Sequence, residues 1–187
     1  MPTMDSCIYW SIFEHSQWQL YIAKTENGLC YVGSPGGSFS DFSAYSHKRF
    51  PSAVLEKSDS LLEDYKQELA AYLNGSKQEF TLLADVTGTS FQQQIWQALK
   101  QIPYGHTCSY SDIAEQIGKP SAVRAVASAI GANPLLIAVP CHRVISKNGT
   151  IGGYRGGLDF KRFLLDLEIQ NGNKEKLQSV GVFFIPH

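Results

Sequence analysis

Apolar and polar residues alternate along QWQLYIAK (17–24), where Trp18, Leu20 and Ile22 fall on one face. A period of two is the pattern of a half-buried strand. TENG (25–28) has turn composition, LCYVG (29–33) predicts a second strand, and GSPGGSFS (33–40) predicts a loop. At Ser60 the period changes. In SLLEDYKQELAAYLNG (60–75) Leu61, Leu62, Tyr65, Leu69, Tyr72 and Leu73 recur at helical spacing, with Ser60 as a candidate cap and Gly75 as a stop. EFTLLADV (79–86) predicts one more strand. In TGTSFQQQIWQALKQIPYG (87–105) Phe91, Ile95, Trp96 and Leu99 form a helical stripe behind the candidate caps Thr87, Thr89 and Ser90. The fold class expected is α/β, of the α+β kind. Residues 1–85 form a β-rich domain with a helix, and residues 86–187 a mainly helical domain.

CSYSDIAEQIGKPSAVRAVASAIGANP (108–134) predicts two helices around a short turn. Ser109 or Ser111 caps the first, which buries Ile113, Ala114 and Ile117 and stops at Gly118. Pro120 and Ser121 start the second, which runs to Gly131. This is helix-turn-helix spacing. The second helix is nearly bare of bulk: Ala122, Ala125, Ala127, Ser128, Ala129 and Gly131 surround a single charge, Arg124. Such a helix either packs tightly in a core or lies close against a narrow surface, and a DNA minor groove is only about 6 Å wide.

Composition narrows the class only a little. The hydrophobic content of 43% is that of an ordinary globular protein. No stretch approaches the ~20 apolar residues of a membrane helix, and the first residues lack the basic start and apolar run of an export signal. The chain is therefore expected in the cytoplasm, with Cys7, Cys30, Cys108 and Cys141 reduced. Net charge is −1, but residues 1–83 carry 6 Lys+Arg against 10 Asp+Glu, and residues 84–170 carry 8 against 6. That imbalance permits an anionic partner for the second half without requiring one.

AVPCHRVI (138–145) sets Cys141 beside His142. A free thiol is only a few per cent thiolate at neutral pH, so a nucleophilic Cys needs a base, and the base needs an orienting group. Adjacent side chains on an extended strand point opposite ways, so either a turn brings them together or a water carries the proton; the water is favoured. Pro140 stiffens the entry to Cys141. By itself the pair also fits a small buried Cys and a core His. Downstream, glycines at 149, 152, 153, 156 and 157 surround Tyr154, so the Cys loop is expected to have a pocket wall beside it. Glu168 closes GGLDFKRFLLDLE (156–168), a predicted helix that can return it toward the His.

NPLLIAVPCHRVI, with GGYRGGLDFKRFLLDLE after it and SY…RAVASAIGANP before it, resembles the O6-alkylguanine-DNA alkyltransferases. The resemblance is strong from Thr89 to Glu168 and loose before Thr89. It implies direct reversal of DNA damage. Cys141 would take the alkyl group from the O6 of guanine, and possibly from the O4 of thymine, by in-line displacement, once per molecule. It further implies that His142 relays the thiol proton through a water, that Glu168 holds the imidazole, and that Asn133 braces the turn carrying the cysteine. Tyr110 would assist flipping and donate to the leaving guanine, and Arg124 would fill the gap in the stack. Ala122, Ala125, Ser128 and Ala129 would line the approach to the minor groove. Backbone at Cys141 and Val144, with Tyr154, Arg155 and Gly156, would form the base pocket.

The partner implied is double-stranded DNA bearing alkylated guanine, with no membrane and no cofactor, and the protein is expected to act as a monomer. Two positions depart from the pattern. Arg155 stands where some members have Ser. Some members also hold a structural zinc with two Cys and two His; here Thr25 falls near a Cys position and Cys30 near a His position, so no zinc is expected even though Cys7 and His15 remain. The rival classes are a non-enzymatic lesion-binding helix-turn-helix protein, which would lack the cysteine, and a Cys-His hydrolase or acyltransferase, which would want an oxyanion hole.

Overall fold

The computed structural model describes residues 6–176. It divides into two compact units: residues up to Thr89 together with Pro134–Ala138, and Ser90–Asn133 together with the residues from Val139 on. The stretch 134–138 joins the first unit through Val32, whose amide donates to the Pro134 carbonyl at 2.9 Å and which bridges to Leu135.

The first unit is built on a four-stranded sheet of order β3-β2-β1-β4. Strands β1 (Cys7–His15), β2 (Trp18–Thr25) and β3 (Gly28–Val32) form an antiparallel meander, and β4 (Val54–Lys57) lies parallel to β1. Leu20 and Ile22 are buried as their alternation predicts, but so is Ala23 on the opposite face, because helix α1 (Phe39–Arg49) covers it. Neither β1 nor α1 was anticipated. In β1 the inward row includes a serine, Ser11, fully buried and bonded to Asp59, which blurs the alternation. The expected loop ends in a capping box: Ser38 Oγ accepts from the Asp41 amide, and the Asp41 carboxylate accepts from the Ser38 amide.

The helix expected over 60–75 is a 3-10 turn, Ser60–Leu62, running into α2 (Glu63–Leu73). Ser60 lies inside that turn and does not cap it. Gly75 ends the helix with φ +72°, as its position suggested. The strand expected over 79–86 is reduced to one bridge, Leu29 to Ala84. Its amides are already taken: the buried Glu68 carboxylate accepts from Thr81 N at 2.8 Å and Leu82 N at 3.0 Å, so they cannot enter a ladder. The bridge requires Gly28, since a Cβ there would fall 2.5 Å from the Leu83 carbonyl oxygen.

In the second unit α5 (Val123–Gly131) packs on α3 (Ser90–Leu99) and α4 (Tyr110–Gln116). Ile95, Trp96, Leu99, Ile113, Ala114, Val126 and Ile130 are buried. Helix α4 begins with a second capping box, Ser109 with Asp112, and Gly118 (φ +70°) turns the chain toward α5. Pro120–Ala122 is a 3-10 turn, so the second helix proper starts later than its pattern suggested. A two-residue parallel pair, β5 (Cys108–Ser109) with β6 (Val144–Ile145), ties the start of α4 to the segment after Cys141. The long helix α6 (Leu158–Lys176) packs against the turn at Cys141–Arg143. Among the described residues no helix is long and apolar enough to cross a membrane.

Candidate active site around Cys141

The backbone leading to Cys141 is tightly folded. Ala138 N donates to Leu136 O at 2.9 Å, and Cys141 N to Val139 O at 2.8 Å. The second is a three-residue turn centred on Pro140, whose φ of −79° and ψ of 59° suit it. The first is centred on Ile137 at φ +72°, a conformation disfavoured for a β-branched side chain. Asn133, fully buried, stitches the end of this path: its amide Nδ2 donates to Val139 O at 3.0 Å and to Cys141 Sγ at 3.0 Å.

Cys141, His142 and Arg143 form a 3-10 turn, not a strand. With three residues per turn, neighbouring side chains diverge by about 120° rather than 180°. The adjacency that looked unfavourable on an extended chain is thus partly relieved by the local backbone. His142 Nε2 lies 2.6 Å from Glu168 Oε1, both residues buried. With Glu168 ionised, Nε2 carries the hydrogen and donates it, which leaves Nδ1 as the nitrogen for proton exchange.

Sequence reasoning missed the residue that makes this possible. Arg143, buried next to His142, donates from Nε to Glu168 Oε2 at 2.9 Å and from a terminal nitrogen to Oε1 at 3.0 Å. Its other terminal nitrogen reaches Ile102 O at 2.6 Å, and Gly105 N donates to Glu168 Oε2 at 2.9 Å. Lys161 was missed as well. It is fully buried on α6, with Nζ donating to Val144 O at 2.6 Å and to Gly153 O at 3.4 Å. The only available signal was a cation placed within an otherwise apolar helical stripe.

A cavity of about 300 Å³ opens over Cys141. Tyr110, Tyr154 and Arg155 line it, with Ala127, Ile130 and Gly131 from α5 and Gly153 from the glycine loop. Gly152 takes the left-handed conformation (φ +67°) where the loop passes Ser146 and Tyr110, a backbone state that other residues rarely adopt. Val144 and Gly156, expected in the base pocket, are not among the lining residues; the Val144 carbonyl accepts from Lys161 instead. On α5, Arg124, Ala125 and Ser128 are exposed; Ala122, in the 3-10 turn before it, is half-buried. Ala129 must be corrected: it faces inward, 4% exposed, and its carbonyl accepts from Trp96 Nε1 at 2.9 Å.

Among the described residues no three His, Cys, Asp or Glu side chains converge as metal ligands. Thr25 Oγ1 donates to Asp85 Oδ2 at 2.5 Å, and the Cys30 thiol points to Ala23 O at 3.4 Å.

Comparison with known proteins gives a consistent picture. Residues 90–170 match the DNA-binding domain, and residues 8–85 the ribonuclease-like domain, of 6-O-methylguanine DNA methyltransferase. Over 168 residues the chain is 51% identical to the inducible methylated-DNA–protein-cysteine methyltransferase of Bacillus subtilis (strain 168), covering 90% of this chain and 94% of that one. The chain belongs to this methyltransferase family. A relative from Methanosarcina acetivorans is 42% identical over 161 residues, 86% of this chain and 98% of that one. The structure of Mycobacterium tuberculosis O6-methylguanine methyltransferase matches with TM-score 0.76 at 35% identity, covering 88% of this chain and 94% of that chain. The same organism's OGT in complex with DNA matches with TM-score 0.75 at 36% identity over the same shares.

The four thiols differ in their electrostatic surroundings. Burial pushes all four thiols up, Cys30 to about 12 and Cys108 to about 11, and nearby carboxylates add to this: Asp85 at Cys30, Asp112 at Cys108, Glu56 at Cys7. Burial also raises Cys141, but there the Asn133 amide and the charges of Arg155 and Lys161 act in the opposite direction. Burial lowers His142 and keeps the ring a neutral base. Burial alone would raise Glu168; the hydrogen bonds from His142 and Arg143 outweigh it and hold the carboxyl below its ordinary range.

Proposed function

We propose that this chain repairs DNA by moving an alkyl group from the O6 of guanine to Cys141, once per molecule. The observation that carries this reading is the cavity floored by Cys141, with a buried His142–Glu168–Arg143 row behind the nucleophile. The thiol proton passes through a water to His142 Nδ1, and Glu168 stabilises the imidazolium across Nε2. Sulfur then attacks the alkyl carbon. The S–C bond forms as the C–O6 bond breaks, and the electron pair leaves on the purine oxygen. The proton gained by the purine balances the one given up by the thiol, with Tyr110 donating a hydrogen bond to the departing base. A thioether is stable, so nothing regenerates the cysteine.

A target base inside a duplex hides its O6, and extruding it costs a few kcal/mol. Arg124, with Ala125 and Ser128, forms the exposed row of α5 that suits a close approach in the minor groove, Arg124 stacking into the gap. Residues 86–187 supply binding and chemistry, and residues 1–85 support them. The protein acts as a monomer in the cytoplasm and needs no cofactor.

Mass spectrometry after mixing with duplex DNA containing O6-methylguanine tests the reading. One added methyl group on Cys141, absent from Cys141→Ala, is the expected result. Lesion binding with an unmodified Cys141 would convert the protein into a lesion-binding module. Arg124→Ala should slow repair of the duplex by about tenfold or more, the cost of flipping being a few kcal/mol, while reaction with a free alkylated base stays within about twofold. Equal losses on both substrates would remove Arg124 from flipping.

A further inference from the structure

Arg155 is a cation on the wall of an otherwise mostly uncharged cavity. It is held there: Nε donates to the Asn133 carbonyl at 3.1 Å, and Asn133 in turn donates from its side-chain amide to Cys141 Sγ at 3.0 Å. One residue therefore connects the guanidinium to the sulfur from both ends, through its carbonyl and its amide. The turn at Tyr154–Gly157 is closed by Gly157 N donating to Tyr154 O at 3.0 Å, which keeps Arg155 over the cavity.

We propose that Arg155 supplies the charge that stabilises negative charge in the transfer step, first on the Cys141 sulfur and then on the purine oxygen as it departs. This rests on the function proposed above. The geometry separates two parts of the role. The Nε–H supports the Asn133 carbonyl and hence the turn; the delocalised positive charge faces the cavity. A guanidinium is planar and spreads its charge over three nitrogens, so it can hold the turn through one nitrogen and present charge from the others. The Tyr110 hydroxyl from α4 and Lys161 from α6 also act on the sulfur electrostatically, and His142 is its neighbour in sequence. Lys161 is tied down by the Val144 and Gly153 carbonyls, and burial lowers it to about 8, so it loses its charge as pH rises.

The test is the single-turnover rate of methyl transfer to Cys141 from a free O6-alkylated guanine base, measured from pH 5.5 to 9 on the full chain. Wild type is compared with Arg155→Gln, which removes charge and keeps a donor, and Arg155→Lys, which keeps charge and loses the fork. In Arg155→Gln the midpoint of the rising limb should move up by at least about half a unit, lowering the rate at pH 7 by about threefold or more. Arg155→Lys should keep the midpoint within about a quarter of a unit of wild type. A slower Arg155→Gln with the wild-type midpoint would mean support of the turn only and would overturn the proposal. So would the same midpoint shift in both variants. Wild type that gains no methyl group on Cys141 defeats the underlying function instead, which keeps the two failures distinct.

Discussion

Among the described residues, each unit buries one glutamate and satisfies it with several donors. In the first, Glu68 accepts from Lys77, from the Thr81 amide and hydroxyl, and from the Leu82 amide. In the second, Glu168 accepts from His142, Arg143 and the Gly105 amide. Burial acts to raise both carboxyls, and in both the hydrogen bonds win and lower them. By burial, hydrogen bonding and titration the two are nearly alike. What differs is the partner. Lys77 and Thr81 pass nothing on, so Glu68 only pins the chain after α2. His142 stands next to a thiol, so in the mechanism proposed Glu168 orients a base. A perturbed carboxylate is therefore a weak marker of a site until its partners are named.

Removing the cation from the second cluster should have the largest effect. Arg143→Ala leaves Glu168 buried without its bidentate partner and is expected to cost about 3–5 kcal/mol in denaturant unfolding. A loss under about 1 kcal/mol would mean that the cluster relaxes into water.

Next comes the chemistry. Glu168→Gln should slow methyl transfer by about a hundredfold with duplex affinity unchanged. Glu68→Ala should leave transfer by the folded protein within about twofold, since general acid–base catalysis runs through the other carboxylate. Equal slowing by both substitutions would erase the distinction drawn between the two clusters.

Glu68→Ala should instead show in stability, by about 2–3 kcal/mol near neutral pH, from buried amides left without an acceptor. Its folded-state pKa lies below the ordinary value of 4.5. The part of that contribution that depends on the ionised carboxylate is therefore complete above pH 4.5 and is lost as pH falls through the depressed value. The gap between the melting curves of wild type and variant should narrow in acid; a gap that stays constant would contradict the assignment.

The smallest effect compares the two capping boxes. Ser38→Ala and Ser109→Ala should each cost about 1 kcal/mol. Only the second should also slow transfer, because Tyr110, the first residue of α4, lines the cavity.

Much of the fold was legible because local patterns agree with it. The Trp18–Lys24 alternation, the stripes of α2 and α3, and the Ser109 and Gly118 signals around α4 each depend on neighbours a few residues away. Strand β1 was not legible, because its inward row contains Ser11, satisfied by Asp59 nearly fifty residues later. The expected strand at 79–86 failed for a related reason: Glu68 took its amides from outside any sheet. Ala129 lies three residues after Val126 and beside Ile130, on the buried side of α5, where its carbonyl accepts from Trp96; a small side chain does not by itself mark which face it is on.

By itself the sequence determined most of the locally patterned elements and pointed to the chemistry proposed. PCHRV, Asn133 and Glu168 carry that information in residue type and order, and a nucleophile, a base and an orienting acid are needed whatever the fold. The tertiary structure alone decided which charges are buried. Arg143 and Lys161 look like surface cations in the sequence, since burying either is prohibitive without partners. Those partners lie outside the local helix or turn: Glu168 and the Ile102 carbonyl for Arg143, the Val144 and Gly153 carbonyls for Lys161. Only folding brings them close enough to offset the desolvation, and with that the environment of Cys141 is set.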